Sequence, residues 1–308
     1  MASNKRSRVI GHGIATSAAI VMLAAAASEI QSSWLQSELV SSVGRELSFD
    51  VEQGPHPEAH HPTEGPYNRR LGYVGLAEFT ERLDGNGFEL TRQAGLSSKH
   101  RQFVNLGGFP IFDEKIQAGL KLLDHKSDVI STATFPARVY PSFETIPPLI
   151  TKTLLFIENR ELLDPVQVRR NPAVDWSRLA AVIPGFAAQI VNPDKRVPGG
   201  STLATQLEKF RHSRAGQTHG ATDKLRQMAS ATVRAYHQGA DTTDYRRQIV
   251  LDYVNGTPLS ARQGFGEVIG LGDGLWSWFG ADFDRINDLL TSPTPNIFEL
   301  WKKAQAYK

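Results

Sequence analysis

From residue 9 to residue 27 the chain is almost unbroken apolar sequence, with His12, Thr16 and Ser17 as its polar positions. That is close to the ~20 residues a helix needs to cross a bilayer. Lys5, Arg6 and Arg8 on its N-terminal side predict that this end stays in the cytoplasm. The alanines before Ser28 also suit a signal-peptide cleavage site, but the run is longer than the roughly 7–15 apolar residues of a signal core, so an uncleaved anchor is expected. Residues 1–28 therefore read as a basic tip and transmembrane helix, and 29–70 as a juxtamembrane helix and linker. The linker's Glu52 to Tyr67 stretch is rich in proline, histidine and acid without any period, so His56, His60 and His61 are expected in solvent.

Beyond it, Leu71 to Gln93 predicts a helix through Phe79 and Leu83, a turn at Gly85-Asn86-Gly87 and a strand from Phe88. Residues 71–138 read as a small α+β module. Pro147 and Pro148 then open a helix with Leu149, Ile150, Leu154, Leu155 and Ile157 on a broad apolar face, and Glu158 closes it. A carboxylate adjoining so much hydrocarbon is a candidate general base, or simply a helix acid paired with Arg160. Further amphipathic helices are predicted over Trp176–Ile190, bent at Pro184, over Lys224–Tyr236, and over Arg246–Val254 with Ile249, Val250 and Val254 inward. Gly264 to Gly274 reads as a loop leading to Trp276, Trp278 and Phe279. The class is mainly α, with a globular domain over 139–285 and a tail over 286–308.

Composition narrows this only a little. A chain of 308 residues, 40% of them hydrophobic, can bury at least one sizeable core. With no cysteine, disulfides, thiolate metal sites and a cysteine nucleophile are excluded. Charge is more informative in its placement than in its total. Against a net charge of +2, the segment Lys195 to Arg247 holds ten Lys or Arg and four Asp or Glu. A positive region is what an anionic leaving group requires, although a solvated basic face looks the same in sequence.

That segment contains the most informative run, PGGSTLATQLEKF from Pro198 to Phe210. Two glycines and the hydroxyls of Ser201 and Thr202 precede a helical pattern bearing Leu203, Leu207 and Phe210 on one face. Free N–H groups and the positive end of the helix dipole would meet there, able to hold a phosphate oxygen. Ordinary helix punctuation is the alternative.

The order of these pieces resembles the peptidoglycan glycosyltransferases, the transglycosylase domain of bifunctional penicillin-binding proteins and its monofunctional relatives. The first motif of that family, E-D-x-x-F and then H-x-G-V-D, is matched by Glu158-Asn159-Arg160-Glu161-Leu162 and Val174-Asp175-Trp176, with asparagine for the aspartate and no counterpart of the histidine. The second, G-G-S-T-I-T-Q-Q-L-x-K, is matched at Gly199, Gly200, Ser201, Thr202, Gln206, Leu207 and Lys209. The later I-L-E-L-Y-L-N resembles Ile249 to Asn255, retaining Tyr253 and Asn255. For the third, R-K-x-x-E, the best register is Asp223-Lys224-Leu225-Arg226-Gln227, and no glutamate occurs between Glu208 and Glu267.

The resemblance implies a lysozyme-like helical fold behind one inner-membrane anchor, the globular part in the periplasm, and polymerisation of lipid II into glycan strands. Glu158 would be the catalytic base. Gly200, Ser201, Thr202, Gln206, Lys209, Lys224, Arg226 and Asn255 would bind substrate, and Gln227 would occupy the second catalytic acid's place. Asp223, four residues before Gln227, is the candidate substitute for the lost carboxylate. A divalent cation, magnesium or manganese, is the cofactor the scheme has room for. Expected partners are lipid II, the growing glycan strand, the membrane and other cell-wall synthesis proteins, not nucleic acid. The alternative is a degenerate domain that binds lipid II or a cell-wall partner without polymerising it. Nothing between Asp282 and Lys308 resembles the family's continuation, so a shortened form of a longer protein is expected.

Overall fold

A computed structural model describes residues 17, 20–22, 24–57, 59, 70–73, 75–176 and 201–291. Most of the apolar run at 9–27, His60 and His61, all but the first residue of the Trp176–Ile190 helix, the glycines at 199 and 200, and the tail beyond 291 lie outside the described residues. Among those described, no helix is long and apolar enough to cross a membrane.

Among the described residues the architecture is mainly helical with three separate two-stranded antiparallel sheets. Residues 24–32 are helical, and Ser33, at φ 52°, breaks them from α1 (Trp34–Gly44). Strand β1 (Phe49–Gln53) leads through the proline-histidine stretch to α2 (Leu76–Asp84), then β2 (Arg92–Leu96) and α3 (Ser98–Asn105). β1 and β2 pair from Phe49 opposite Leu96 to Gln53 opposite Arg92. The small sheet thus joins residues on both sides of position 70. The strand expected from Phe88 starts only at Arg92, after the turn and four irregular residues. His56 corrects the linker reading. It is buried, its backbone N–H donates to Gln93 Oε1 at 2.8 Å, and a Cβ on Gly95 would fall 2.1 Å from its ring.

Next come the hairpin β3 (Ala118–Leu123) and β4 (Val129–Phe135), helix α4 (Pro148–Glu158), α5 (Leu203–His212), α6 (Ala221–Ala235) and α7 (Thr243–Gly256). After strand β5 (Pro258–Arg262), the stretch Gly264 to Gly274 expected as a loop instead forms its hairpin partner β6 (Gly266–Ile269) and the first half of α8 (Gly270–Phe279). Gly270 sits at φ 71°, where a Cβ would lie 2.4 Å from the Asn255 carbonyl oxygen, so close packing of α8 on α7 requires glycine. Helix α9 (Phe283–Thr291) packs back on α4 and sets the Phe283 ring 5.1 Å from Tyr140, so helical structure runs through position 285.

The core is the meeting of α4, α5, α6 and α7. Leu203 and Leu207 of α5 and Ile249, Val250 and Val254 of α7 are buried there with Tyr140, Ile146 and Leu162. Each aliphatic side chain so buried contributes about 1.5–3 kcal/mol. On α4, Ile150, Leu154 and Leu155 pack against this cluster, whereas Leu149 and Ile157, expected on the same face, are exposed. An apolar helix end beside Glu158 therefore stands open.

Candidate functional site

Three faces of α5 organise the site. Leu203 and Leu207 anchor the first in the hydrophobic core. The second carries Glu208 and Arg211 into a buried ionic cluster. Glu208 Oε1 accepts from Arg234 Nε at 2.6 Å and from Arg211 Nη1 at 3.3 Å, and Arg211 Nη2 donates to Asp252 at 2.6 Å. Arg234 also donates to the Phe112 carbonyl at 2.6 Å and to that of Pro110 at 3.2 Å, tying the segment before β3 to the helices. Arg246 is buried too, donating to the carbonyls of Leu162 and Asp164. Much of the basic excess between Lys195 and Arg247 therefore holds the fold together. Its sequence signal is indistinguishable from that of a ligand patch.

The third face of α5 carries Gln206 and Lys209, neighbours at i and i+3. Helix α4 points its last residue at this face. Asn159 takes an extended conformation and ends α4, leaving Glu158 in the final turn, half-buried. An anion at a helix C-terminus is disfavoured by about 0.3–1 kcal/mol, so stability does not explain its presence there. Gln206 Nε2 donates to Glu158 Oε2 at 3.1 Å, and the Tyr253 hydroxyl on α7 donates to Gln206 Oε1 at 3.4 Å. Burial raises the Tyr253 pKa, a hydrogen bond from Thr257 opposes this, and the Glu158 charge adds to the rise.

At the start of α5 the Lys224 ammonium of α6 donates to Ser201 Oγ at 2.5 Å. Burial lowers the Lys224 pKa, and the positive charge of Lys209 lowers it further. The charge of Lys209 thus disfavours the Lys224 ammonium where it meets a serine hydroxyl, a repulsion that an incoming anion would relieve. Gln206 joins Glu158 to the flank of α5, and Lys224 meets Ser201 at the start of the same helix.

Other expected site residues are placed differently. Thr202 is buried as the α5 N-cap. Its hydroxyl accepts from the Thr205 N–H at 3.3 Å and donates to the Ala173 carbonyl at 3.2 Å, so it is committed to the fold and not presented to a ligand. Asn255 is buried as well, and its amide clamps both the N–H and the carbonyl of Tyr140 at 2.8 Å. Gln227 is buried with Nε2 donating to Ser213 at 3.0 Å and Thr218 at 3.1 Å. Asp223 accepts from the His219 N–H at 2.9 Å, bracing the turn before α6. The Arg226 guanidinium lies over Phe109, 4.2 Å from the ring centroid. Tyr253 is the participant that motif reading left without a role. Its signal was a tyrosine three residues after Val250 on the helix that packs against α5.

Among the described residues no three His, Asp or Glu side chains converge to hold a metal ion. The groups seen here, an amide on Glu158 and an ammonium on Ser201, do not fit a divalent cation, and no step below is routed through one.

Glu158 is thus held on the flank of a helix whose start pairs Ser201 with Lys224. The Transglycosylase family model matches residues 126–292, more than half of the chain, and the protein belongs to that family. The matched span takes in every site residue described above. Its family makes it peptidoglycan glycosyltransferase-like, with lipid II and the glycan strand as the substrates the domain implies. A comparison with curated proteins finds no match.

Proposed function

We propose that the protein polymerises lipid II into glycan strands, with release of the lipid pyrophosphate, at an inner-membrane surface facing the periplasm. Glu158 accepts the proton of the acceptor sugar's 4-hydroxyl. The oxygen so freed bonds to the anomeric carbon of the donor, and the bond from that carbon to the pyrophosphate oxygen breaks. Lys209, Lys224 and Ser201 stabilise the negative charge that develops on the departing pyrophosphate. The observation that carries this reading is that one helix, α5, holds the Glu158 carboxylate on its flank through Gln206 and the Ser201–Lys224 pair at its start.

Purified full-length protein incubated with labelled lipid II tests it. Glycan strands should form with the wild type and disappear in Glu158→Gln. Strands that persist in Glu158→Gln remove the proposed base. A second reading, a domain that binds lipid II without polymerising it, is favoured by the buried amide Gln227 at the place of the family's second acid. Lipid II retained by the wild type without polymer would establish that alternative.

A further inference from the structure

Helix α1 is amphipathic in the inverted sense. Its inward face is made of Ser33, Ser37, Ser41 and Gly44, all buried against the C-terminal half of α6 and the residues that follow it. The hydroxyls need no outside partner, because Ser37 donates to the Trp34 carbonyl at 2.7 Å and Ser41 to that of Glu38 at 3.2 Å. A Cβ on Gly44 would lie 3.0 Å from the His237 Cα, so the helix docks by close backbone approach. The large apolar residues point away. Leu35, Leu39 and Val43 form an i, i+4, i+8 stripe and are 53%, 61% and 52% exposed, with Trp34 beside them at 56%.

Water is a poor solvent for such a face, and a second copy of the chain is a poor partner for it. Four half-exposed side chains make a patch of a few hundred Å² at most, against about 800 Å² per partner in a stable protein interface. The surface also continues along the chain. In the helical residues before Ser33, Ile20, Val21, Met22 and Ile30 are exposed as well, so apolar side chains face outward on both sides of the bend. Trp34 stands at that bend, where an amphipathic ring belongs at a bilayer boundary.

We infer that the Leu35-Leu39-Val43 face of α1 lies against the lipid bilayer and fixes the height of the catalytic domain above it. The fixing is rigid. Asn171 donates to Gln36 Oε1 on α1 and, at 3.1 Å, to Thr232 Oγ1 on α6, while Arg169 pairs with Glu38 at 2.5 Å. Thr232 is eight residues along α6 from Lys224, about 12 Å of helix. A lipid-seated α1 would thereby hold the cationic end of the site at a set distance from the surface that delivers a lipid-linked substrate.

The absence of cysteine gives a clean test. Single variants Leu35→Cys, Leu39→Cys, Val43→Cys and, as an exposed control in the β3–β4 turn, Lys126→Cys are labelled with an environment-sensitive fluorophore. Each full-length protein is then placed in phosphatidylethanolamine and phosphatidylglycerol vesicles. The expected result is a blue-shifted emission quenched by brominated lipid at 35, 39 and 43, with neither effect at 126. An N-terminal anchor alone would tether the protein yet leave these three probes in water, so water-like, unquenched emission at all three overturns the proposal. Disulfide-linked dimers of the unlabelled Leu39→Cys variant, with unquenched emission from the labelled one, would overturn it in favour of a second copy. The measurement is independent of catalysis and reads the same in Glu158→Gln.

Discussion

Gln206 donates its side-chain amide to Glu158 across a 3.1 Å hydrogen bond that joins the end of α4 to the flank of α5. An amide can present either of its two ends, and the Tyr253 hydroxyl, donating to Gln206 Oε1 at 3.4 Å, selects which end faces the carboxylate. Tyr253→Phe removes that selection while keeping the ring's packing. Loss of one such hydrogen bond is worth about 0.5–1.5 kcal/mol, or roughly two- to tenfold in kcat. The measurement is steady-state lipid II polymerisation, with kcat falling by that factor and KM little changed. An unchanged kcat removes Tyr253 from the arrangement.

The Ser201–Lys224 pair makes a different prediction, because its expected ligand is charged. Removing a preorganised donor from a developing negative charge costs on the order of 10²–10³ in kcat. Lys224→Met should fall in that range, and Ser201→Ala by less, since the ammonium remains. In the free protein Lys224 has a lowered pKa, from burial first and Lys209 second. A bound pyrophosphate analogue restores its affinity for the proton, so binding takes up protons at alkaline pH. Affinity should therefore weaken as pH rises through the Lys224 pKa, and titration calorimetry in buffers of different ionisation enthalpy reads the uptake directly.

Asp223 and Gln227 separate the two readings of function. Asp223 already holds the His219 N–H at 2.9 Å, so Asp223→Ala is expected to cost about 0.5–2 kcal/mol of stability, like the loss of a helix cap. Polymerisation per folded molecule should stay within about twofold of wild type, under about 0.5 kcal/mol of barrier, because the Asp223 carboxylate is engaged in bracing the turn. A loss of activity in a variant with an unaltered melting curve would instead make Asp223 the substitute acid. Gln227→Glu, which writes the family residue back, places a carboxylate between Ser213 and Thr218 in a buried position. It should destabilise the protein by roughly 1–3 kcal/mol without raising activity.

How much of this was legible beforehand follows from what sequence can encode. Periodicity located α4, α6 and α7 because their apolar residues recur on one face, and the turn before α5 was visible in Ser201 and Thr202. The family resemblance placed Glu158 and Gln206 among the candidate site residues. What it could not supply was direction. Thr202 and Ser201 are adjacent hydroxyls, yet one caps a helix inside the protein and the other meets Lys224. Asn255 reads as a polar residue in a motif, and only the fold shows its amide clamped on the Tyr140 backbone. The arginines 211, 234 and 246 counted as a basic patch until long-range pairing enclosed them. The sheet of β1 with β2 escaped detection because its two strands lie 38 residues apart along the chain, a pairing that no local pattern records.

His212 gives the protein's stability a specific dependence on acid. Its ring is buried, stacked on Phe109 with 4.8 Å between centroids, and its pKa is lowered from 6.5 to about 3. Burial is the main cause. The Glu208 carboxylate pulls the other way, while Arg234, Arg211 and Arg226 disfavour a further positive charge. Because the folded-state pKa lies below the unfolded value, the unfolded chain binds the extra proton first as pH falls. The stabilising contribution is therefore complete above pH 6.5 and is lost progressively toward pH 3. The slope contributed by one such group is at most about 1.4 kcal/mol per pH unit. His212→Gln, neutral at every pH and of similar length, should remove that slope while leaving other acid-sensitive groups in place. Urea denaturation at a series of pH values between 7 and 4 measures the difference. Parallel pH profiles for wild type and variant would mean that His212 binds its proton equally well in the folded and unfolded chain, so that burial does not disfavour its charge.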